Sequence, residues 1–174
     1  MADFEKCINW VLKLEDSKLT GVIKDLGDGG GLTRFGITQH SNPNVEPTFW
    51  TTMPFAEALD LAKRRYRAIY WNVMKGDFIN CEEVAAVLLS FVVNDGPFRA
   101  IREIQTALGR PDIVPDGHFG PKTLAAVNAA EPVQLARDLR DQQIAFYRRE
   151  VEYDPRDEKY LKGWINRANA PYPS

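Results

Sequence analysis

The feature that most constrains the fold is a nearly unbroken apolar run over residues 82–94. The run contains Val84, Ala85, Ala86, Val87, Leu88, Leu89, Phe91, Val92 and Val93. A helix that is apolar all round is usually buried all round. The run therefore predicts the central helix of a helical domain, although its β-branched residues leave a strand open as the alternative. The sequence Asn94-Asp95-Gly96-Pro97 ends it.

Apolar side chains at helical spacing predict further helices on both sides of this run. The predicted segments are residues 3–15, about 54–73, 97–108, 121–130, 132–151 and a short one near the C-terminus. In the second segment the expected buried stripe is Phe55, Leu59, Ala62, Tyr66, Ile69 and Val73, and the expected solvated face is Lys63, Arg64, Arg65 and Arg67. Residues 32–35 partly alternate, so the predicted fold class is mainly α with at most a small β-hairpin.

Length and composition exclude several classes of function. A chain of 174 residues suggests one domain, or one compact body with two lobes. Its net charge of -2 gives no electrostatic case for nucleic acid or a membrane surface, and no apolar segment is long enough to span a bilayer. Two distant cysteines suggest no disulfide framework, and two histidines make a histidine-rich zinc site implausible.

Glu15 is the first candidate catalytic residue. It ends the first predicted helix and continues the apolar stripe of Phe4, Ile8 and Val11. Apolar surroundings and the negative end of a helix dipole both favour the protonated carboxylic acid, the form that general acid catalysis of glycosidic cleavage requires. The alternative is an ordinary surface or paired glutamate at a helix end.

The loop after this helix is dense in carboxylates and glycines. Asp25 and Asp28 are candidates for the second carboxylate of a glycosidase pair, or they are turn residues, as Asp before Gly often is. Thr33 can orient a water or a sugar hydroxyl, or be structural. We predict a positive φ at Gly30 or Gly31, because the loop must fold back towards the helix end. The glycines match no dinucleotide- or phosphate-binding motif.

Aromatic side chains offer candidate platforms for sugar stacking. The candidates are Trp50, Tyr70, Trp71 and Trp164. The alternative for each is a place in the core, where most large aromatic side chains lie.

The order of these motifs resembles glycoside hydrolase family 108, the N-acetylmuramidases of phage endolysins and secretion-linked muramidases. The segment from Asp28 to Ile37, DGGGLTRFGI, is similar to the family pattern Asp-Pro-Gly-Gly-x-Thr-x-x-Gly-Ile, and Glu15 occupies the position of the catalytic glutamate. The segment LLSFVVNDG resembles the family's central helix. Residues from about 97 resemble its peptidoglycan-binding domain through Gln105, Asp116-Gly117, Gly120, Thr123 and Gly163-Trp164-x-Asn166-Arg167. After Glu15 the chain departs from the family, with Asp16-Ser17-Lys18 in place of Gly-Gly-Tyr and a longer loop.

The resemblance implies a lysozyme-like catalytic lobe over residues 1–95 and a helical peptidoglycan-binding lobe over 96–174, together one folding unit. It implies hydrolysis of the β-1,4 bond between N-acetylmuramic acid and N-acetylglucosamine, without a metal or other cofactor. Glu15 would protonate the leaving oxygen, and Asp28, or else Asp25, would stabilise charge or position water with help from Thr33. Asn94, Tyr70, Trp71 and Trp50 would contact the sugar. A lytic transglycosylase and a non-catalytic binding module are the alternatives.

The expected partner is bacterial peptidoglycan, with neither nucleic acid nor a stable membrane association. The N-terminal sequence MADFEKCINW shows no basic segment followed by an apolar run. We therefore expect synthesis in the cytoplasm and delivery to the periplasm or cell wall by a holin or a secretion system.

Overall fold

A computed structural model describes residues 1–15, 18–25, 27 and 29–173. Within these ranges the chain forms seven α-helices and a three-stranded sheet, which confirms the predicted mainly α class with a small β-hairpin. The helices are α1 Phe4–Glu15, α2 Phe55–Tyr66, α3 Glu82–Asp95, α4 Pro97–Ala107, α5 Pro121–Ala129, α6 Pro132–Tyr153 and α7 Glu158–Ala168; the strands are β1 Lys24–Asp25, β2 Leu32–Arg34 and β3 Ile37–Thr38. None of the described helices is long and apolar enough to cross a membrane.

The apolar run forms the central helix α3, as its composition predicts, and not a strand. Every residue from Val84 to Val92 is buried. α1 packs on it from the N-terminal part of the chain, and α4, α6 and α7 pack on it from the C-terminal part. One hydrophobic core therefore joins the two halves of the sequence through α3.

The small sheet is antiparallel in the order β1-β2-β3. Arg34 of β2 faces Ile37 of β3, so the two strands are joined by a two-residue turn, Phe35-Gly36. Both turn residues have positive φ, 51° and 76°, as a type I′ turn requires. Gly31, before β2, has a φ of 74°, which confirms the predicted positive φ in the glycine run.

A buried arginine anchors this hairpin. The Arg34 side chain donates from Nε to the carbonyl of Gly21 at 3.0 Å, and from Nη1 to those of Phe49 at 2.9 Å and Met53 at 2.8 Å. Burial lowers the pKa of Arg34. Three carbonyl oxygens satisfy a guanidinium that is only 6% exposed, so the hairpin is held in a fixed position beside α1 and α2.

The predicted buried stripe of α2 is partly wrong. The buried residues of this helix are Ala58, Ala62 and Tyr66, whereas Phe55, Ile69 and Val73 are exposed. Small alanines let α2 approach its neighbours closely, and its end widens into a π-helical turn, Arg67–Trp71, which changes the face that later residues present.

Candidate active site

The Glu15 side chain lies at the end of α1, a helix fixed in the core by Cys7, Ile8, Val11 and Leu12. Its Oε1 accepts a hydrogen bond of 2.6 Å from Nη1 of Arg167, in α7. The Arg167 side chain is 10% exposed and the Glu15 side chain 25% exposed. The Glu15 side chain is therefore held by Arg167 and partly exposed to solvent.

The hairpin turn packs directly on this carboxylate. A Cβ atom added to Gly36 would lie 3.1 Å from Cγ of Glu15 and 2.7 Å from the hydroxyl oxygen of Tyr66. That hydroxyl donates to the carbonyl of Phe35 at 3.0 Å. Burial, and next the Glu15 carboxylate, raise the pKa of Tyr66, which keeps its phenol neutral. Position 36 therefore requires glycine both for its positive φ and for its closeness to the acid.

A small pocket of about 40 Å³ adjoins the same turn. Its lining residues are Gly36, Ile37, Asn42, Arg65, Tyr66, Ile69 and Tyr70. The half-buried Tyr70 packs on Tyr66 with ring centroids 5.5 Å apart. Burial and the Glu15 carboxylate raise the pKa of Tyr70, while the Arg65 guanidinium lowers it, so Tyr70 lies within reach of both charges. This position suits the sugar contact expected of Tyr70.

A second polar cluster lies on the α3 side of Arg167. The Tyr147 hydroxyl donates to Oδ2 of Asp95 at 3.0 Å, and it accepts from Asn94 at 2.8 Å and from Gln143 at 2.6 Å. Burial raises the pKa of Asp95 to about 6, against the opposing effects of Tyr147, Asn94 and Arg167. Arg167 therefore acts electrostatically on Asp95 as well as on the carboxylate that it binds.

Comparisons with known proteins show the family of the chain. The family model described as Glycosyl hydrolase 108 matches residues 8–96, just over half of the chain. The chain belongs to the glycosyl hydrolase 108 family. A second model, described as Predicted Peptidoglycan domain, matches residues 99–169. Among solved structures, the chain is similar to that of SagA from Brucella abortus, with a TM-score of 0.72 and 27% identity over 95% of this chain and 88% of that one. No curated protein matches significantly.

These matches make this family 108 member a glycoside hydrolase that acts on peptidoglycan, and hence at the cell wall. Glu15 and Gly36 lie within the region that matches the hydrolase model, and Arg167 lies within the region that matches the peptidoglycan domain. The side chain that holds the candidate acid therefore comes from the other matched region.

The remaining carboxylate candidates of this hydrolase differ in what the structure shows of them. Oδ1 of the exposed Asp25 accepts from the backbone N–H of Gly27 at 2.9 Å, which is turn chemistry. Asp28 lies outside the described residues. The Thr33 hydroxyl is buried and has no hydrogen-bond partner among the residues described.

Two of the predicted sugar platforms belong to the core. Trp50 is 2% exposed and donates to the carbonyl of Ile37 at 2.9 Å; Trp71 is fully buried and donates to Asp77 at 2.8 Å. Neither ring has a face open to a sugar, so we withdraw both as contacts. Trp164 is half-buried and packs between Tyr147 and Tyr160. Asn94 is bound within the cluster around Asp95.

A large cavity of the family 108 enzyme lies away from Glu15, which is not among its lining residues. It measures about 570 Å³ and lies in the region of the peptidoglycan domain, between α4 and the start of α5. The buried Gln105 side chain beside it bonds to Asp116, the carbonyl of His118, Thr123 and the N–H of Gly117. These bonds hold the turn of residues 116–120, so the polar side chains of this segment have a structural role.

Sequence reasoning missed the partners of Glu15. Arg167 appears in the resemblance only as part of a motif, and Tyr66 only as a core residue. The signal available in retrospect is that each is a polar group in an otherwise apolar helix face. The 152 positions that separate Glu15 from Arg167 gave no reason to pair them.

Proposed function

We propose that this enzyme is a lysozyme, or N-acetylmuramidase, that hydrolyses the β-1,4 bond between N-acetylmuramic acid and N-acetylglucosamine with Glu15 as the general acid. The observation that carries the proposal is the setting of the Glu15 carboxylate. One oxygen is bound by Arg167, the hairpin turn packs against its stem, and part of the group faces solvent. A carboxyl group that is fixed in position and partly exposed is what proton donation to a leaving group requires.

The proposed step moves the proton of the Glu15 carboxylic acid to the glycosidic oxygen as the carbon–oxygen bond breaks. Positive charge develops on the sugar ring and negative charge on Glu15. The Arg167 guanidinium, 2.6 Å from Oε1, meets that negative charge as it forms. Because the guanidinium stabilises the ionised carboxylate before the step as well as after it, the role that we propose for Arg167 is to prevent rotation of the Glu15 side chain.

The second catalytic carboxylate is Asp28 or else Asp25. It would stabilise the oxocarbenium-like charge or position the attacking water. Thr33 supports the second role, because a buried hydroxyl without a partner among the described groups is free to bind a water. If this group is far from Glu15, attack by water with inversion is the expected route.

The region that resembles a peptidoglycan domain would help to hold the glycan strand. In an endolysin or a secretion-linked muramidase, a holin or a secretion system delivers the protein to the wall. We propose the same here, with a bacteriolytic outcome after delivery.

Mass spectrometry of digested peptidoglycan tests the proposal. Purified cell walls are incubated with the enzyme in ¹⁸O-labelled water and the released fragments are analysed. We expect reducing N-acetylmuramic acid ends that carry one ¹⁸O. Anhydro ends without the label would indicate a lytic transglycosylase, reducing N-acetylglucosamine ends would indicate cleavage of the other bond, and no product would indicate a binding module.

A further inference from the structure

One arginine in the basic run of α2 differs from its neighbours. Three of the four basic residues have carboxylate partners: Lys63 with Glu5 at 2.7 Å, Arg64 with Asp60 at 3.0 Å and Arg67 with Asp77 at 2.8 Å. Arg65 has no carboxylate partner among the residues that the structure describes. Arg65 is therefore the exception in a basic run whose other members are paired with carboxylates among the described residues.

A neutral side chain orients Arg65. Its Nη2 donates to Oδ1 of Asn42 at 2.8 Å, and Nδ2 of Asn42 donates in turn to the carbonyl of Thr38 at 2.8 Å. The Nε atom of Arg65 is buried and has no partner within the described part of the chain. The guanidinium is thus held in place, and within the described part of the chain neither its charge nor its Nε donor has a matching partner, which is costly unless another group or a ligand supplies one.

Arg65 lines the 40 Å³ pocket beside the candidate active site. Gly36 and Tyr66, which contact or closely approach Glu15, form one wall of it, and Ile69 and Tyr70 supply largely apolar surface. A water needs about 10–15 Å³ of such space, so the pocket has room for about three small groups. That is the size of a carboxylate.

We propose that Arg65, positioned by Asn42, is a carboxylate-binding subsite for the acidic substituent of muramic acid. The inference rests on the proposed function, because the pocket adjoins Glu15. Muramic acid carries a lactyl group that ends in a carboxylate or continues into a stem peptide with carboxylates of its own. A guanidinium binds a carboxylate through paired hydrogen bonds in one plane. The subsite would therefore favour glycans that contain muramic acid over chitin, whose sugars carry no carboxylate.

Titration calorimetry on the Glu15→Gln protein tests this without cleavage of the ligands. The probes are a peptide-free tetrasaccharide of alternating N-acetylglucosamine and N-acetylmuramic acid, its lactyl methyl ester, the peptide-bearing tetrasaccharide, its carboxyl methyl ester, and chitotetraose. We expect a carboxylate-bearing ligand to bind at least about tenfold more tightly than its neutral ester, which is the scale of a charge-assisted hydrogen bond. Added salt should reduce the difference.

Two variants of the basic run provide the matched comparison. Arg65→Gln should abolish the preference for acid over ester and leave chitotetraose binding unchanged. Arg64→Gln removes the same charge from the same helix at an exposed, paired position, and it should retain the preference. If the preference for acid over ester requires Arg65 with the peptide-free glycan, the bound group is the lactyl carboxylate. If it requires Arg65 only with the peptide-bearing glycan, the bound group is a carboxylate of the stem peptide.

The proposal is overturned if Arg65→Gln and Arg64→Gln bind every ligand alike. Should Arg65→Gln fail to fold, equal affinity for each acid and its ester in the protein with Arg65 intact would overturn it without that variant. Because binding is measured in a protein lacking the Glu15 carboxyl group, its outcome is distinct from that of the product analysis.

Discussion

At the scale of single residues, the ion pair between Glu15 and Arg167 fixes the position of the candidate acid. A glutamate at the end of a helix is ordinary, and its environment decides whether it can act as an acid. Here that environment is a nearly buried guanidinium on one oxygen and partial exposure of the side chain to solvent. The guanidinium holds the carboxyl group in one position beside the hairpin turn.

Replacement of Arg167 tests its role as a positioning residue. Arg167→Leu keeps an apolar stem but frees the Glu15 side chain to rotate, so we expect kcat to fall about 10–100-fold with KM little changed, the scale expected for a misplaced reacting group. Arg167→Lys keeps the charge and should recover part of the loss. Steady-state kinetics on purified cell walls measures both. A folded Arg167→Leu protein with full kcat would show that the ion pair is only structural.

Asp95 predicts a pH dependence of stability. Its pKa rises from 3.8 to about 6 in the folded protein, so the folded state binds the proton more tightly than the unfolded state. Stability should therefore fall as pH rises from about 4 to about 6, by up to about 3 kcal/mol at about 1.4 kcal/mol per pKa unit. In Asp95→Asn the amide oxygen can still accept from Tyr147, and this loss should be absent. Melting temperatures measured from pH 4 to pH 7 test this. If the melting temperatures of the two proteins change with pH in the same way, the pH dependence does not come from Asp95.

The sequence was informative about Glu15 because one amphipathic helix places it. The apolar stripe of α1 includes the position, and the structure confirms the helix to its last residue. Arg167 and Tyr66 could not be found in this way, since their roles depend on packing between elements far apart in the chain. Trp50 and Trp71 were misassigned because composition does not distinguish a sugar platform from a core aromatic residue.

At the scale of elements, the β2–β3 turn brings the backbone against the acid. Its two residues have positive φ, and a side chain at position 36 would collide with Tyr66 and Glu15. The alternation of residues 32–35 predicted a small β-hairpin, but it did not place the turn at Phe35-Gly36. It could not indicate what the turn packs against, because that depends on how the hairpin sits on α1 and α2.

Substitution of two glycines separates backbone strain from displacement of the acid. Gly36→Ala and Gly109→Ala both place alanine at positive φ, 76° and 59°, at a cost of about 1–2 kcal/mol each. Only the first also meets Glu15 and Tyr66, since nothing lies within 4 Å of a Cβ at position 109. We expect backbone strain to lower the melting temperature of both variants by a similar amount. Gly36→Ala alone should show a further decrease in melting temperature and a rate of cell-wall digestion at least about tenfold lower. Equal rates for the two variants would argue against a close turn-to-acid contact.

α2 shows where periodicity fails as a guide. Ala62 and Tyr66 are buried, as its periodicity predicts, but Ile69 is exposed and lines the pocket beside Glu15. Apolar residues on a cleft wall have the same spacing as apolar residues in a core. Spacing alone therefore cannot distinguish a binding surface from buried packing.

At the scale of the whole molecule, α3 makes the two matched regions one body. It belongs to the hydrolase region and packs on α4, α6 and α7 of the other region. The apolar run predicted this central position because a helix without a polar face needs neighbours on every side. Because α7 packs on α3, the same packing places Arg167 beside Glu15.

Truncation tests this dependence. A protein ending at residue 95 would lose Arg167 and expose the side of α3 that the C-terminal helices cover. We expect it to aggregate or to bind a hydrophobic dye, and to lack activity. Size-exclusion chromatography and cell-wall digestion measure these outcomes. A soluble, monomeric and fully active truncation would contradict the account of a shared core.

The most direct test of the central claim is the rate of the Glu15→Gln protein on purified cell walls. Glutamine has nearly the same shape and can still accept from Arg167, so the protein should fold and sediment with insoluble peptidoglycan. Its melting temperature should fall, because the nearly buried guanidinium loses its countercharge. Glutamine has no acidic proton to donate, so the rate should fall by about 10²–10⁴-fold or more. A folded Glu15→Gln protein that digests cell walls at a near-normal rate would contradict the assignment of Glu15 as the general acid.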